Sequence, residues 1–304
     1  MTLTLVKAWK TASQRLEAAG IDQPAIDARL MLEAAAEVTR TDILTDPYRE
    51  LTDAQKQALE AFIGRRERRE PISHILGRKG FWKIMLSVTR DVLTPRPDTE
   101  TVVEVALAAV PDEHAAINVL DLGVGSGAIL LAILAERPAA RGLGVDISDE
   151  ALAVARENAA NLDLNTRCAL RRSDWTAGLA DENFDLVVAN PPYIPSKDIE
   201  TLEPEVRDHE PRLALDGGAD GLDAYRFLAP EILRVLKGGG VFAVEIGHDQ
   251  SKAVEQLFRG AGALNVTTVR DLGDRDRCVT GMKNPLETKA RLATPKGSPP
   301  KSPE

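Results

Sequence analysis

The sequence predicts an α/β fold: a seven-stranded, mostly parallel sheet with an antiparallel hairpin at its edge, preceded by a small all-helical domain. Residues 1–77 carry apolar side chains at helical spacing and no strand signal. Residues 117–247 instead alternate apolar strands with helices, which implies parallel strands covered on both faces. The last two strands, within residues 264–283, lie too close together for a helical crossover, so we expect an antiparallel hairpin there.

Each element follows from a local pattern. Thr52, with Gln55 three residues later, resembles a capping box at the start of a helix. Residues 80–93 alternate and are rich in β-branched side chains, which predicts a short hairpin. A helix over residues 221–240 is predicted to end at its run of glycines. The predicted domains are 1–78 (helical, for substrate recognition), 79–96 (hairpin linker), 97–284 (sheet domain) and 285–304 (a disordered tail rich in Pro, Ser and Lys).

The composition is that of a soluble globular protein, with 43% hydrophobic and 28% charged residues. No run approaches the ~18 consecutive apolar residues of a membrane span, and the amphipathic N-terminus is a poor signal peptide. Cys168 and Cys278 fit neither a disulfide framework nor a metal-ligand spacing. We therefore expect a cytoplasmic protein with no metal and no membrane contact.

The charge balance bears on partners. A formal net charge of −9 argues against direct nucleic-acid binding, which depends on Lys and Arg neutralising phosphates. The sequence IGRRERRE at residues 63–70 is a candidate basic patch, but a solvated helix end of mixed charge is the favoured interpretation.

A glycine-rich loop, VLDLGVGSGAI at residues 119–129, leaves a predicted strand and enters a predicted helix. Glycines let the backbone turn tightly and approach a ligand, and the helix N-terminus offers free N–H groups. Asp146 ends the next strand, where an acidic residue can accept hydrogen bonds from a ribose diol. The spacing fits a dinucleotide and S-adenosylmethionine equally. Asp121 favours S-adenosylmethionine, because a carboxylate suits its cationic groups and opposes a pyrophosphate.

The third predicted strand ends in Ser173, Asp174 and Trp175. Asp174 can accept from the amino group of an adenine, and Trp175 can pack against its face. A core tryptophan at a strand end is the alternative interpretation.

The stretch VVANPPY, residues 187–193, ends an apolar strand at an amide side chain followed by two prolines. The prolines fix an extended backbone and leave carbonyls without competing local N–H groups. Asn190 Oδ1 and the Pro191 carbonyl are then two acceptors in a stiff frame, and Tyr193 adds a flat face. This frame suits a planar NH₂ group, whose methylation depends mainly on in-line positioning. Taken alone, the four residues also fit a plain proline-rich turn.

Asn190–Pro191–Pro192–Tyr193 resembles the (D/N)PPY motif of amino methyltransferases. Together with EPISHILGRKGFW (70–82), LTPRPDTE (93–100), HEPRLALDGGADGLDAYR (209–226) and DLGDRDR (271–277), the chain resembles the release-factor glutamine N5-methyltransferases, the PrmC/HemK family, as far as about residue 283. The resemblance implies a Rossmann-like methyltransferase domain, S-adenosylmethionine as cofactor, and the Gly-Gly-Gln glutamine of class 1 peptide chain release factors as substrate.

The resemblance also implies roles for individual residues. The expected catalytic residues, which would hold the glutamine amide, are Asn190, Pro191, Pro192 and Tyr193. The expected cofactor-binding residues are Gly123, Val124, Gly125, Ser126, Gly127, Asp146, Asp174, Trp175 and Asn190.

Some questions stay open at this point. Arg96 either bridges the domains near the site or caps a helix, and Glu245 is either a contact of the site or a buried paired acid. The alternative functions are a nucleic-acid amino methyltransferase, acting on adenine N6 or guanine N2, and a non-catalytic S-adenosylmethionine-binding module. A hydride-transfer enzyme is the poorest fit. We expect a monomer.

Overall fold

The computed structural model describes residues 3–286 of the chain, so most of the predicted tail lies outside the described residues. The described residues divide into two compact units. The first runs up to Lys79 and takes in Ser87–Thr94 and Glu200–Pro211; the second holds Gly80–Leu86, Pro95–Ile199 and the residues from Arg212 onward. The domain boundaries predicted from the sequence stay a prediction.

The helices of the described residues are α1 Leu5–Ala18, α2 Pro24–Ala36, α3 Arg40–Thr45, α4 Asp53–Glu67, α5 Ile72–Leu76, α6 Glu100–Ala109, α7 Ala128–Glu136, α8 Asp149–Asn161, α9 Pro204–Arg207, α10 Asp223–Val235 and α11 Ser251–Gly260. The strands are β1 Arg78–Phe81, β2 Ile84–Ser87, β3 Asn118–Leu122, β4 Arg141–Asp146, β5 Cys168–Arg172, β6 Phe184–Ala189, β7 Leu236–Glu245, β8 Leu264–Arg270 and β9 Asp276–Met282.

The first unit is built around apolar faces of α1, α2 and α4, which contribute buried side chains such as Leu16, Met31 and Leu59. The capping box predicted at α4 is confirmed. The Thr52 hydroxyl accepts from the backbone N–H of Gln55 at 3.3 Å, and the Gln55 side chain accepts from the N–H of Thr52 at 3.0 Å. Reciprocal bonds of this kind satisfy two of the free N–H groups at a helix start.

The arginines of residues 63–70 are held in ion pairs within the first unit. Arg66 is buried and donates to Asp27 at 2.7 Å and to Glu205 at 2.8 Å. Arg69 also donates to Glu205, at 2.8 Å. The expectation of a solvated helix end is therefore wrong for Arg66, because its guanidinium has two carboxylate partners from distant segments and needs no water to satisfy it.

The second unit contains the seven-stranded sheet, in the order β5-β4-β3-β6-β7-β9-β8 among the described residues. Strands β3 to β7 pair in parallel, whereas β9 is antiparallel to both β7 and β8. The mostly parallel sheet and its antiparallel edge hairpin are confirmed. Chain order reverses at β3, which lies between β4 and β6, and open α/β sheets bind ligands at such a switch point.

Apolar side chains alternate between the two faces of this sheet. Leu186 and Val188 of β6 point into the core shared with α6 and α7, whereas Val187 and Ala189 point into the core shared with α10 and α11. The period of two places both faces under helices and leaves the strand ends for other contacts.

The start of β7 corrects one prediction. The run Lys237–Gly240 was expected to close a helix, but α10 ends at Val235 and β7 begins at Leu236, which pairs with Phe184. Gly239 adopts a φ of +81°, and the backbone of Gly239 and Gly240 exchanges hydrogen bonds with Lys283. The glycines thus form an irregular start to β7, since a register shift follows Phe184.

Within residues 3–286, no helix is both long and apolar enough to cross a bilayer.

Candidate active site

The glycine loop joins β3 to α7 at the switch point. Gly123, Gly125 and Gly127 all have positive φ values, of +74°, +52° and +86°. A Cβ placed on Gly127 would lie 2.8 Å from Cδ1 of the buried Leu131, so this position combines a left-handed backbone with no room for a side chain. The loop therefore presents bare backbone at the N-terminus of α7.

Neighbouring elements hold the loop in place. The N–H groups of Gly123 and Val124 both donate to the carbonyl of Val145 at 2.9 Å. The carboxylate of Asp146 accepts from the N–H of Gly125 at 3.0 Å through Oδ2. Asn158 is buried and donates to the carbonyl of Ser126 at 2.8 Å. These bonds fix the loop against β4 and α8.

Asp121 lies on β3, directly beneath the loop, and is buried. Its Oδ2 accepts from the N–H of Leu130 at 3.2 Å, whereas Oδ1 has no hydrogen-bond partner among the described residues. Burial raises the pKa of Asp121 to about 7; the bond from Leu130 opposes this shift and the charge of Asp146 adds to it. A cation bound at the loop would lower this pKa and satisfy the free oxygen.

The residues predicted to hold an adenine differ in position. Trp175 is half-buried and packs against the loop, since a Cβ placed on Gly123 would lie 3.5 Å from its Cζ3 atom. The side chain of Asp174 is exposed. The structure brings Trp175 to the glycine loop and leaves Asp174 facing solvent.

The NPPY segment follows β6, which pairs in parallel with β3, so it leaves the sheet beside the glycine loop. Asn190 donates through Nδ2 to the Thr99 hydroxyl at 3.3 Å. This bond occupies the nitrogen end of the amide and leaves Oδ1 as the acceptor. Tyr193 donates through Oη to Oε1 of Glu245 at 3.3 Å. Burial, the largest cause, and the nearby Glu245 raise the pKa of Tyr193 well above its usual value, so it is a phenol and not a phenolate.

A second segment, residues 216–221, packs against the end of NPPY and forms a brace for it. Ile194 and Asp216 form a parallel bridge, and the N–H of Gly217 donates to the carbonyl of Ile194 at 2.8 Å. Gln250 donates through Nε2 to the carbonyls of Tyr193 at 3.0 Å and Gly221 at 3.2 Å. The site prediction missed this brace and Thr99. The glycine-rich sequence DGGADG, residues 216–221, indicated a turn there, but it did not indicate that the turn packs against NPPY.

Two models of known families match this chain. One, described as the PrmC N-terminal domain, matches residues 7–77, and a methyltransferase domain model matches residues 113–289. A curated release factor glutamine methyltransferase from Caulobacter vibrioides is 71% identical and covers 95% of this chain and 100% of that relative. This chain belongs to the release factor glutamine methyltransferase family.

Other relatives carry the same description. A release factor glutamine methyltransferase from Rhodospirillum rubrum is 45% identical, in an alignment that covers 95% of this chain and 90% of that relative. A solved release factor-specific protein-(glutamine-N5) methyltransferase from Alicyclobacillus acidocaldarius is 29% identical, covers 63% of this chain and 94% of its own, and has a TM-score of 0.39.

Release factor glutamine methyltransferases use S-adenosylmethionine, and the loop of this family member fits that cofactor. The bare glycine backbone gives close approach, and the unpartnered Oδ1 of Asp121 suits a cation. Among the described residues, no cluster of His, Cys, Asp and Glu has the arrangement of a metal site.

The structure bears on the roles of Arg96 and Glu245, which the sequence left open. Arg96 stands at the N-cap position of the short helical turn that follows it, where its carbonyl accepts from the N–H of Thr99 at 3.1 Å, but its side chain makes no capping hydrogen bond. Its charge also acts on Tyr193, where it lowers the pKa against the larger effect of burial. Glu245 is buried and contacts Tyr193 directly, which makes it part of the surroundings of NPPY.

Proposed function

We propose that this protein transfers a methyl group from S-adenosylmethionine to the side-chain amide nitrogen, N5, of the glutamine in the Gly-Gly-Gln motif of class 1 peptide chain release factors. One observation carries the proposal: Asn190 is held with its nitrogen end on Thr99, so that Oδ1 is left as an acceptor in the NPPY frame of a family member. An acceptor in that place selects a substrate that brings an N–H group.

The chain's own residues act on the substrate amide by holding its two protons. Asn190 Oδ1 accepts one N–H, and the carbonyl of Pro191 accepts the other. An amide nitrogen is a poor nucleophile because its lone pair is delocalised into the carbonyl. Two acceptors in one rigid frame pull electron density toward that nitrogen and aim it, and such positioning supplies a large part of a rate enhancement. Tyr193 packs against the flat amide.

The cofactor would be held by Gly123 to Gly127, Asp146, Asp174, Trp175 and Asn190. When bound, it supplies an electrophilic methyl group on a cationic sulfur. The reaction adds one methyl group to the amide nitrogen and releases one proton from it. Until that proton passes to water, its N–H stays hydrogen-bonded to Asn190 Oδ1 or to the Pro191 carbonyl, which are amide oxygens and accept hydrogen bonds without taking the proton.

The first unit is the proposed recognition surface for the release factor, because residues 7–77 match the N-terminal domain model of this family. It exposes two large apolar side chains close together in sequence, Leu44 at 63% and Tyr48 at 77%. Replacing both by serine should raise KM for an intact release factor and leave the rate on a short Gly-Gly-Gln peptide unchanged. Leu264→Ser, at an exposed apolar position of the second unit, is the matched control. An unchanged KM for the intact factor would refute this role.

The alternative substrates have less support. A nucleic-acid amino methyltransferase needs basic side chains for phosphates, but Arg65, Arg66 and Arg69 of the basic cluster are paired with carboxylates. We propose that the protein acts in the cytoplasm, where release factors meet ribosomes, and that it acts as a monomer without nucleic-acid contact.

Mass spectrometry tests the reaction directly. A purified class 1 release factor is incubated with the protein and S-adenosylmethionine, and the Gly-Gly-Gln peptide is examined for one methyl group on the glutamine amide. Asn190→Ala should abolish the product, whereas the exposed Asn165→Ala should not. An unmodified glutamine, with cofactor binding verified by calorimetry, would refute the proposal and direct the search to nucleic-acid amino groups or to a non-catalytic role.

A further inference from the structure

Glu245 ends β7 at the same edge of the sheet at which Asn190 follows β6. Ala189 pairs with Val244 in the register of the two strands, so the chain reaches Asn190 and Glu245 side by side. Glu245 is only 1% exposed, and its Oε2 atom has no hydrogen-bond partner among the described residues. Burying a carboxylate lowers the stability of the folded protein unless hydrogen bonds and opposite charges compensate for the lost contact with water.

Both distinctive side chains of NPPY connect to this one carboxylate. Tyr193 reaches it directly, through the 3.3 Å bond from Oη to Oε1. Asn190 reaches it through Thr99, whose hydroxyl accepts from Asn190 Nδ2 at 3.3 Å and whose side chain also hydrogen-bonds the Glu245 carboxylate.

The direction of these bonds follows from proton counting. An ionised carboxylate can only accept, so the single hydroxyl proton of Thr99 must point at Glu245. The lone pairs of Thr99 are then left to accept from Asn190, which places Nδ2 on Thr99 and turns Oδ1 away from it. A neutral group at position 245 can donate to Thr99, and Thr99 can then donate to Asn190 Oδ1. That reversal would present the wrong end of the amide to a substrate N–H.

We propose that Glu245 is a positioning residue for methyl transfer: its ionised carboxylate sets the direction of the hydrogen bonds through Thr99, so that Asn190 offers Oδ1 to the substrate amide, and it holds the Tyr193 ring. This inference rests on the proposed function and adds to it a residue that acts through Thr99 and Tyr193.

The surroundings make the ionisation of Glu245 sensitive to pH near neutrality. The net pKa of Glu245 is raised to about 7: burial is the largest cause and Asp98 adds to it, whereas Thr99, Arg277 and Tyr193 act in the opposite direction. Arg277 is itself shared with Asp98 at 3.1 Å and Asp271 at 3.2 Å. The other titratable groups that face this carboxylate are Tyr225, whose Oη donates to the Glu245 carbonyl at 2.7 Å, and Cys278, its pairing partner on β9.

Glu245→Gln tests the inference, because it keeps the shape of the side chain and removes its charge. Its kcat for methylation of a release factor should fall roughly 10–100-fold, with the Kd for S-adenosylmethionine within about twofold of the unmodified protein. The kcat of the unmodified protein should rise with pH through about 7, and that rise should be absent in the variant. Glu104→Gln, at an exposed glutamate of α6, is the matched control. A variant with an unchanged kcat and pH profile would overturn the inference.

A second measurement does not depend on turnover. The chain has three tyrosines, so ring ¹³Cζ labelling gives a spectrum in which Tyr193→Phe identifies the Tyr193 signal. That signal, and the side-chain amide signal of Asn190, should titrate with a midpoint near the pKa of about 7 and should lose this titration in Glu245→Gln. If the unmodified protein methylates no release factor, the proposed function fails, and these signals still decide whether Glu245 orients Asn190 and Tyr193. Signals indifferent to Glu245→Gln would refute it.

Discussion

Asp121 and Glu245 are two buried carboxyl groups at one edge of the sheet, and burial raises the pKa of each to about 7. Each has one oxygen without a partner among the described residues. They are held differently. Asp121 takes its bond from the backbone N–H of Leu130, nine positions further along the chain. Glu245 takes its bonds from the side chains of Thr99 and Tyr193, which come from distant parts of the sequence.

The glycine loop and the NPPY frame are thus two ways of building a site. The loop is a local backbone structure that one strand, one turn and one helix determine. The frame is assembled from β6, β7, the turn before α6 and the segment around Gly221, and its side chains orient one another. Substitutions in the loop should therefore alter cofactor affinity, whereas those in the frame should alter the rate.

The largest expected effect breaks the frame alone. Gly221 has a φ of +76°, and a Cβ placed on it would collide with the carbonyl oxygen of Tyr193. Because backbone meets backbone there, Gly221→Ala should displace NPPY and lower kcat roughly 100-fold or more while cofactor affinity stays unchanged. Steady-state kinetics and calorimetry measure the two. Gly178→Ala is the control, since Gly178 has a φ of +68° and no atom within 4 Å of a Cβ. Loss of affinity with a normal kcat would contradict the comparison.

The two acids should share one effect, on stability. The folded-state pKa of each carboxyl lies above its ordinary value, so each acid favours folding only in its protonated form. That contribution to the free energy of unfolding is fully present below the ordinary pKa and is lost as pH rises through the folded-state pKa of about 7. Asp121→Asn and Glu245→Gln should therefore each raise the free energy of unfolding, relative to the unmodified protein, by about 2–3 kcal/mol more at pH 8 than at pH 5. Urea unfolding at both pH values measures this. A gain that does not depend on pH would show that neither carboxyl titrates as described.

The loop should respond to a single methyl group. Gly127→Ala places a Cβ 2.8 Å from Leu131 at a φ of +86°. The colliding atom is a side chain in a packed core, so we expect a cost of about 1–2 kcal/mol, or roughly 5–30-fold in affinity for S-adenosylmethionine. Calorimetric titration measures it, with Gly178→Ala again as the control for backbone strain. Unchanged affinity would mean that the loop tolerates a wider turn.

The smallest effect sharpens the frame. Thr99→Val removes the hydroxyl between Asn190 and Glu245 and keeps the side-chain shape, so kcat should fall about 3–10-fold, the worth of one ordinary hydrogen bond. Thr99→Ser retains the hydroxyl and should stay within about twofold of the unmodified rate. Equal kcat values for the two variants would show that the Thr99 hydroxyl does not orient Asn190.

The same contrast explains what the sequence could predict. The alternation of strands and helices, the edge hairpin and the glycine loop follow from periodicity and from residues close in sequence. NPPY was also recognisable, because its prolines fix local geometry. The role of Thr99 was not, since its contact with Asn190 crosses 91 positions and the motif LTPRPDTE that contains it does not indicate the partner. The strand at Lys237–Gly240 was missed because its glycines pair with Lys283, again far along the chain.

The ion pairs of Arg66 bear on the history and the engineering of the chain. Arg66 joins Asp27 to Glu205, and Glu205 belongs to a segment, Glu200–Pro211, that returns to the first unit after the chain has built most of the sheet. Residues up to Lys79 therefore do not make up the whole of the first unit, and truncating the chain there, or exchanging that part for the helical unit of another enzyme, would leave Glu200–Pro211 behind. A transplant would have to carry both pieces, and recombination within the gene would separate a buried charge from its partner.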